Sequence, residues 1–258
     1  MGRVIVIGTG RLAQSVVRAV RARGGDAVAV GRRDGVDVTQ AVDLRPHAGD
    51  EGVAAVVDAT GTSASNTREI ARFFESSARN VAAAAAAVGA QAHVVVSIVG
   101  CERAAGYAYY AGKAAQEAAA RAAATSAVPA VVVRSTQWFE FPRQIVDLLT
   151  RGPFVAVPQM HLRPVALDAV ADVVADIALG TRAPADVDLC GPGEVTLASM
   201  VAELQDRPPL RIPVPLPGAA RAARSGALLP HDGAEQVGPT FTSWLREHPD
   251  GRRPDLAG

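Results

Sequence analysis

A glycine-rich turn near the start of the chain constrains the fold more than any other stretch of the sequence. The turn is Gly8-Thr9-Gly10-Arg11-Leu12-Ala13, and it directly follows a short β-branched run over residues 3–7. Apolar residues then recur at helical spacing until Gly24-Gly25 ends the pattern. The segment therefore predicts a strand, a tight turn and a helix.

Further apolar runs alternate with helical patterns along the first 150 residues. Parallel strands covered on both faces are apolar throughout, and helices make the crossovers between them. We therefore predict an α/β fold with a Rossmann-like, doubly wound parallel sheet and helices on both faces, with ligands at the carboxyl ends of the strands. The later predicted strands are 27–30, 53–57, 94–96 and 130–133, and the predicted helices are 67–77, 80–88, 107–125, 138–150 and 167–179.

Beyond residue 150 the sequence becomes richer in proline, most of all over residues 208–217, and loses its continuous apolar pattern. We expect residues 1–150 to form the sheet core. Residues 151–258 should supply the remaining core elements and a small lobe, all within a single structural unit. Such a lobe, placed over the open end of the sheet, would shape a substrate pocket.

The charge balance of the chain argues against several classes of partner. Lys and Arg together number 26, as do Asp and Glu, so the formal net charge is zero and no basic face for nucleic acid is indicated. No apolar run approaches the roughly 18 residues of a bilayer span, and no signal-type leader precedes the first strand. Cys101 and Cys190 lack metal-ligand spacing. We expect a cytoplasmic, metal-free protein that binds a small molecule as a monomer or a homodimer.

The glycine turn has the residue types that a dinucleotide pyrophosphate requires. Gly8 permits the tight backbone turn, Gly10 lets the main chain approach the phosphates, and Ala13 lets the helix pack closely on the strand. The phosphates would bind the free N–H groups at the start of the helix near Arg11. The expected cofactor contacts in this turn are Gly8, Thr9, Gly10, Arg11, Leu12 and Ala13.

The end of the second strand distinguishes NAD from NADP in such folds. A carboxylate there binds the adenosine ribose hydroxyls, whereas arginine accommodates a 2′-phosphate. The sequence reads Gly31-Arg32-Arg33, and Arg11 adds a third guanidinium, which favours NADP(H) over NAD(H). Asp34 leaves NAD(H) open, because a shift of two residues would place its carboxylate at the strand end. Further contacts are expected from Asp37 and Val38 near the adenine and from Ala59, Thr60 and Gly61 after the third strand.

A second constellation lies near the middle of the chain, with Ser97 at the end of the fourth predicted strand and Tyr109 and Lys113 on the following helix. Residues four apart share one helix face. A phenol titrates near pKa ~10 and becomes a usable acid or base only if a nearby cation favours its phenolate. We therefore expect Tyr109 to transfer a proton, Ser97 to hold the substrate oxygen and Lys113 to supply the cation.

These motifs resemble those of the short-chain dehydrogenase/reductase superfamily, in which Ser, Tyr and Lys form the catalytic set and Lys also binds the nicotinamide ribose. The stretches 97–100, 109–117, 134–141 and 239–245 are more specifically similar to its atypical, NmrA-like NAD(P)-binding branch. The resemblance implies an NADPH-dependent oxidoreductase that transfers a hydride between the nicotinamide and a small carbonyl or alcohol substrate. It also implies a substrate pocket near Gln137, Trp138, Phe139 and Phe141.

Two other functions stay open on the same fold. Some NmrA-like proteins bind NADP without turnover and report its level to a partner, although they do not need the catalytic tyrosine. A non-redox reaction, such as an isomerisation or a cyclisation, would form product without net consumption of the cofactor. The aromatic residues after the fifth strand can also serve to anchor a helix to the core, and Arg32 and Arg33 can be solvated loop residues.

Overall fold

The computed structural model describes residues 2–64, 66–206, 210–215 and 221–252, which form two compact units. The first unit contains Met1–Ser97, Ala108–Arg134 and Asp168–Val187. The second contains Ile98–Tyr107, Ser135–Leu167 and Asp188–Gly258. The predicted boundary at residue 150 falls inside the second unit, and part of the predicted proline-rich stretch 208–217 lies outside the described residues.

The described elements follow the predicted alternation of strands and helices through the first part of the chain. In chain order they are β1 (Arg3–Ile7), α1 (Arg11–Ala22), β2 (Ala27–Val30), β3 (Val53–Asp58), α2 (Thr67–Ala87), β4 (His93–Ile98), α3 (Ala108–Ala123), β5 (Ala130–Ser135), α4 (Phe141–Leu149), β6 (Thr150–Arg151), β7 (Phe154–Pro158), β8 (His161–Leu162), α5 (Leu167–Ala178), β9 (Val187–Cys190), β10 (Val195–Thr196), α6 (Leu197–Glu203), β11 (Leu210–Val214), α7 (Arg221–Arg224), β12 (Glu235–Gln236) and α8 (Phe241–Leu245).

The first unit contains five strands of the main parallel sheet, in the order β5-β4-β3-β1-β2. β1 pairs in parallel with both β2 and β3, so that Ile7 lies opposite Val30 on one side and Asp58 on the other. The chain goes from β1 to β2 on one side and returns to β3 on the other. The carboxyl ends of β1 and β3 therefore border the point where the strand order reverses, which is where open α/β sheets bind ligands.

Both faces of this sheet are covered, which confirms the doubly wound prediction. Ile5 and Ile7 of β1 pack in one apolar core with α2 residues that include Val81. Val4 and Val6 point to the opposite face, because side chains alternate along a strand, and they are fully buried as well. The connection from β2 to β3 contains two short 3₁₀ turns and no α-helix.

Two predicted helix boundaries are wrong. α2 is one continuous helix where the sequence suggested separate helices over 67–77 and 80–88, since Ala78 and Arg79 do not break a helix and Ala78 is fully buried. α4 begins at Phe141, three residues later than predicted, with Pro142 in its first turn. Proline is tolerated at the start of a helix, where its missing N–H has no intrahelical acceptor in any case.

The second unit holds the remaining, mostly shorter elements. β9 and β12 pair in parallel, and β11, β7 and β6 form a separate three-stranded sheet. Phe139, Phe241 and Trp244 form an aromatic cluster with ring centroids 5.4 to 6.2 Å apart. Among the helices that the structure describes, none combines the length and the apolar character needed to cross a membrane.

The close packing of α2 on α3 depends on a glycine. A Cβ atom on Gly112 would lie 2.9 Å from Cε2 of Phe74 and closer still to Cδ2 of that ring, and the Phe74 side chain is fully buried. The Phe74 ring makes an edge-to-face contact with Tyr109 at a centroid distance of 5.4 Å, and its centroid lies 5.4 Å from Lys113 Nζ. Gly112 therefore sets the separation at which two helices hold Tyr109 and Lys113.

Replacing Gly112 with alanine is expected to destabilise the protein by about 1–3 kcal/mol, because the added methyl group overpacks against Phe74. This cost should outweigh the gain of up to about 1 kcal/mol from the higher helix propensity of alanine. The midpoint of urea unfolding measures the difference. Combining Gly112→Ala with Phe74→Leu is the control, since the smaller side chain should restore part of the stability. A single variant as stable as the parent protein would contradict this packing.

Candidate functional site

The two glycines of the β1–α1 turn meet different requirements. Gly8 has φ +127°, and a Cβ atom there would lie 3.1 Å from the carbonyl oxygen of Ala59. Gly10 has an ordinary φ of −78°, and a Cβ atom on it would meet no atom within 4 Å. The fold itself therefore needs glycine at position 8. At position 10 the absent side chain leaves open space beside the start of α1.

The start of α1 suits an anion. Gly10 precedes the helix without any side-chain cap, and the first turn contains no acidic residue. The first backbone N–H groups of a helix have no intrahelical acceptor and carry the positive end of its dipole. Ala13 and Leu12 are both buried, so Leu12 can reach a ligand here only through its backbone. These features fit a dinucleotide pyrophosphate at this turn.

The end of β2 contains both residue types that select between NAD and NADP. Arg32 and Arg33 are exposed in the 3₁₀ turn Arg32–Asp34. The Asp34 carboxylate accepts a hydrogen bond from the backbone N–H of Gly31 at 3.0 Å, so a carboxylate also lies at this strand end. Thr9 lies beside Gly31, since a Cβ atom there would lie 2.9 Å from Thr9 Cγ2. The contact between Thr9 and Gly31 therefore connects the glycine turn to Arg32 and Arg33.

The two residues expected near the adenine are held by local contacts. The Asp37 carboxylate accepts hydrogen bonds from the backbone N–H and the hydroxyl of Thr39, at 3.0 and 2.8 Å, and these bonds lower the pKa of Asp37. Val38 is buried, and its carbonyl oxygen accepts from the Asn80 side chain at 2.9 Å. Contact of either residue with an adenine stays a prediction.

The loop after β3 connects the glycine turn to the predicted reaction centre. Ala59 lies against Gly8, and a Cβ atom on Gly61 would lie 3.1 Å from Tyr109 Oη. Thr60 is fixed by the Asp58 carboxylate, which accepts from its backbone N–H at 3.0 Å and from its hydroxyl at 2.6 Å. The first unit thus brings together the turn, the loop and the phenol that sequence reasoning singled out separately.

Ser97 and Lys113 meet at the same side of the sheet. Val95 of β4 packs against Ala120 of α3, and Ser97 points to that same side because it is two residues further along the strand. Ser97 is buried, and Lys113 Nζ donates to the carbonyl oxygen of Val96 at 2.7 Å. The predicted lysine is therefore attached to the strand that ends with the predicted serine.

The electrostatics of Tyr109 differ from the expectation. We expected the Lys113 cation to favour the phenolate, but burial raises the pKa of the Tyr109 phenol above its usual value. Burial removes water that would stabilise the phenolate, and in this structure that effect dominates. Lys113 Nζ donates to the Val96 carbonyl and to Oε1 of Gln116.

Sequence reasoning missed Gln116, which is fully buried next to Lys113. Its Nε2 donates to Asp58 Oδ2 at 2.8 Å and to Thr60 Oγ1 at 3.2 Å. Two features of the sequence point to Gln116. Gln116 lies three residues after Lys113 and so on the same helix face, and Lys113 is the only lysine among the 26 Lys and Arg residues of the chain.

The four residues expected to line a substrate pocket lie in the second unit. Phe139 is buried against Phe241 and Trp244, which supports its role as an anchor of the core. Trp138 Nε1 donates to Ser135 Oγ at 3.0 Å, whereas Gln137 Oε1 is buried without a hydrogen-bond partner among the described residues. Phe141 begins α4 and is half-buried.

The second unit also contains a cavity of about 370 Å³. None of the four predicted pocket residues lines it. Its walls are mainly apolar, and its polar lining residues include His161, Thr196 and Arg224.

Comparison with solved structures shows what this fold is similar to. A dTDP-4-dehydrorhamnose reductase from Clostridium acetobutylicum superimposes with a TM-score of 0.72 at 14% identity, over 95% of this chain and 97% of that one. A short-chain dehydrogenase/reductase superfamily protein from Agrobacterium tumefaciens with bound NAD gives 0.68 at 17% identity, over 99% and 98%. A UDP-galactose 4-epimerase gives 0.64 at 17% identity, over 87% and 97%.

These similarities confirm the predicted Rossmann-like α/β fold with a doubly wound parallel sheet. No protein-family model and no curated protein matches the chain. The closer similarity to the NmrA-like branch stays a prediction.

Alanine substitution should separate the two glycines of the turn. Gly8→Ala is expected to destabilise the protein by about 1–3 kcal/mol, because its φ of +127° is unfavourable for a residue with a side chain. Gly10→Ala should cost less than about 1 kcal/mol, since alanine adopts its backbone conformation and meets no neighbour. Thermal unfolding of both variants checks this, and equal losses would contradict the assignment.

Proposed function

We propose that this chain is an NAD(P)-dependent oxidoreductase of the short-chain dehydrogenase/reductase type, with Tyr109 as the proton-transferring residue. One observation carries the proposal. Within a single unit, the Gly8 turn contacts the 59–61 loop, that loop contacts the Tyr109 phenol, and Lys113 one helical turn away is bonded to β4 just before Ser97. Carbonyl reduction requires a bound cofactor and a proton donor close to the same substrate, and these contacts connect the candidate cofactor turn to the candidate proton donor.

The chain's own residues can hold each part of the cofactor. The first N–H groups of α1 would bind the pyrophosphate, with Gly10 leaving room for it. Arg11, Arg32 and Arg33 would bind a 2′-phosphate, which is why we propose a preference for NADP(H). Lys113 would bind the nicotinamide ribose, the role it has in the family that the sequence resembles.

Bound nicotinamide supplies or accepts the hydride in this chemistry. Burial raises the pKa of the Tyr109 phenol, so the phenol keeps its proton near neutral pH and would give that proton to the carbonyl oxygen as the carbon is reduced. Ser97 would hold the same oxygen through its hydroxyl.

Two of the similar structures suggest a substrate class. The names of the reductase and the epimerase with this fold indicate nucleotide-linked sugars as substrates of those two proteins. We therefore propose a keto group on a nucleotide-linked sugar as the first substrate class to test, next to the small carbonyl compounds that the sequence suggested.

A second function, nucleotide sensing without turnover, is favoured by one specific observation. Burial raises the pKa of Tyr109, whereas a catalytic tyrosine of this type is expected to have its phenolate favoured by the neighbouring lysine. A sensor would bind oxidised and reduced nucleotide and consume neither. A net isomerisation, as in the epimerase of this fold, would instead convert substrate with no change in nicotinamide absorbance.

The cofactor preference can be tested at the end of β2. Arg33→Ala is expected to weaken NADPH binding about ten-fold, because one charge-assisted contact to the 2′-phosphate is lost, and to leave NADH binding unchanged. Titration of nucleotide fluorescence measures both. Arg79→Ala, which removes an exposed arginine paired with Glu75 across one helical turn, is the matched control. Tighter binding of NADH than NADPH by the parent protein would assign the selecting role to Asp34.

The role of Tyr109 can be tested by removing its hydroxyl. Tyr109→Phe is expected to lower carbonyl reduction at least about 100-fold while NADPH binding persists, since a general acid contributes in that range. In the parent protein the rate should not fall between about pH 6 and 9 through loss of the phenol proton, because the raised pKa lies above this window. NADPH oxidation that survives the substitution would exclude this mechanism. Equal binding of NADPH and NADP without any turnover would support the sensor.

A further inference from the structure

A buried chain of hydrogen bonds connects the single lysine to a carboxylate through Gln116. Lys113, Gln116 and Asp58 are 4%, 0% and 0% exposed. Lys113 Nζ donates to Gln116 Oε1, and Gln116 Nε2 donates to Asp58 Oδ2 at 2.8 Å. Both ends of the glutamine amide are therefore used, one by a cation and one by an anion.

The chemistry of the neighbours fixes the orientation of this amide. An ammonium can only donate and an ionised carboxylate can only accept, so the Gln116 oxygen must face Lys113 and its nitrogen must face Asp58. Thr60 strengthens the arrangement, since its hydroxyl donates to Asp58 Oδ1 while its oxygen accepts from Gln116 Nε2 at 3.2 Å. Linked hydrogen bonds of this kind polarise one another in a buried environment.

Neither alanine nor glutamate would make the same set of bonds at position 116. Alanine would remove an acceptor from a buried ammonium and a donor from a buried carboxylate, which are costly groups to leave under-satisfied. Glutamate could accept from Lys113, but it would place a second carboxylate against Asp58. The glutamine amide hydrogen-bonds to both Lys113 and Asp58, so the two groups are connected without a direct ion pair.

The hydrogen-bonded chain Lys113–Gln116–Asp58, called the relay below, also reaches the loop next to the predicted reaction centre. Asp58 and Thr60 lie at the start of the loop that contacts Gly8 through Ala59 and Tyr109 through Gly61. Gln116 therefore ties α3, which carries Tyr109 and Lys113, to the backbone that would border the nicotinamide half of a cofactor.

We propose that Gln116 is a positioning residue for Lys113 in the oxidoreductase reaction, an inference that rests on the proposed function. It holds the lysine ammonium between the Val96 carbonyl and its own Oε1, while its Nε2 is fixed by Asp58, at the place from which Lys113 would act on the cofactor ribose and on Tyr109. It touches neither substrate nor cofactor itself.

The test uses the fact that the chain has one lysine. Full-length protein labelled with nitrogen-15 at lysine Nζ gives a single side-chain ammonium resonance, which reports Lys113 without assignment. In the parent protein its protons should exchange slowly with water at neutral pH, because the group is buried and hydrogen-bonded. Gln116→Met, close in size but unable to make these bonds, should speed that exchange at least about ten-fold. Gln144→Met, an exposed glutamine-to-methionine change on α4, is the matched control.

A charge-conserving swap keeps the proposal testable if Gln116→Met folds poorly. The double variant Asp58→Asn with Gln116→Glu moves the carboxylate next to Lys113 and lets the new amide at position 58 donate to it, so slow exchange should return. With NADPH and a carbonyl substrate, kcat/KM should fall at least about ten-fold in Gln116→Met and recover in the swap.

The outcomes separate this proposal from the function on which it rests. Fast ammonium exchange in the parent protein, or unchanged exchange in Gln116→Met, overturns the relay whatever the activity. Slow exchange that Gln116→Met abolishes, in a protein that reduces no carbonyl compound, supports the relay and removes the oxidoreductase function. Altered exchange with unaltered kcat/KM shows that Gln116 is structural and overturns its positioning role.

Discussion

The burial of one ammonium group organises the first unit around its candidate site. Lys113 is 4% exposed, so its charge must be compensated by protein groups, and those groups lie on three different elements. Val96 supplies a carbonyl from β4, Gln116 supplies an amide from α3, and Asp58 supplies the opposite charge from the end of β3. The two strand ends and the helix are thereby fixed relative to one another where a nucleotide-binding sheet has its ligand.

Packing and polar contacts have complementary roles at this place. Gly112 lets the Phe74 ring approach α3, and that ring contacts both Tyr109 and Lys113. The apolar contact excludes water, which raises the pKa of Tyr109, and the same exclusion makes the hydrogen bonds of Lys113 necessary. A tyrosine in these surroundings keeps its proton near neutral pH.

The sequence predicted the architecture well because its strongest signals are local. Each strand of the sheet core is a short apolar run, and the runs were recognisable since both faces are buried. The same reasoning gave the glycine turn and the tyrosine–lysine pair. It wrongly divided α2, which continues through Ala78 and Arg79 with Ala78 on its buried side and Arg79 on its exposed side.

The parts that were missed depend on contacts between distant residues. Gln116 bonds to Asp58, 58 residues away, and no spacing rule predicts such a pair. The direction of the Tyr109 pKa shift was wrong for a related reason, since spacing indicates which charge is near but not how much water is excluded. Phe139 joins an aromatic cluster with residues near the end of the described chain, which its neighbours in sequence did not reveal.

The use of lysine at position 113 has a physical explanation in this geometry. Every other basic residue among the 26 is an arginine, so position 113 is the one place where the sequence has lysine instead. An ammonium is a compact point charge with three donors, whereas a guanidinium is a wide planar fork that favours carboxylates and phosphates. Lys113 Nζ lies 2.7 Å from the Val96 carbonyl oxygen and also donates to the Gln116 amide. The space between these two acceptors suits a compact donor. Arginine would have to displace the Gln116 amide and would break the connection to Asp58. The single lysine and the buried glutamine therefore depend on each other, and together they require the carboxylate at the end of β3.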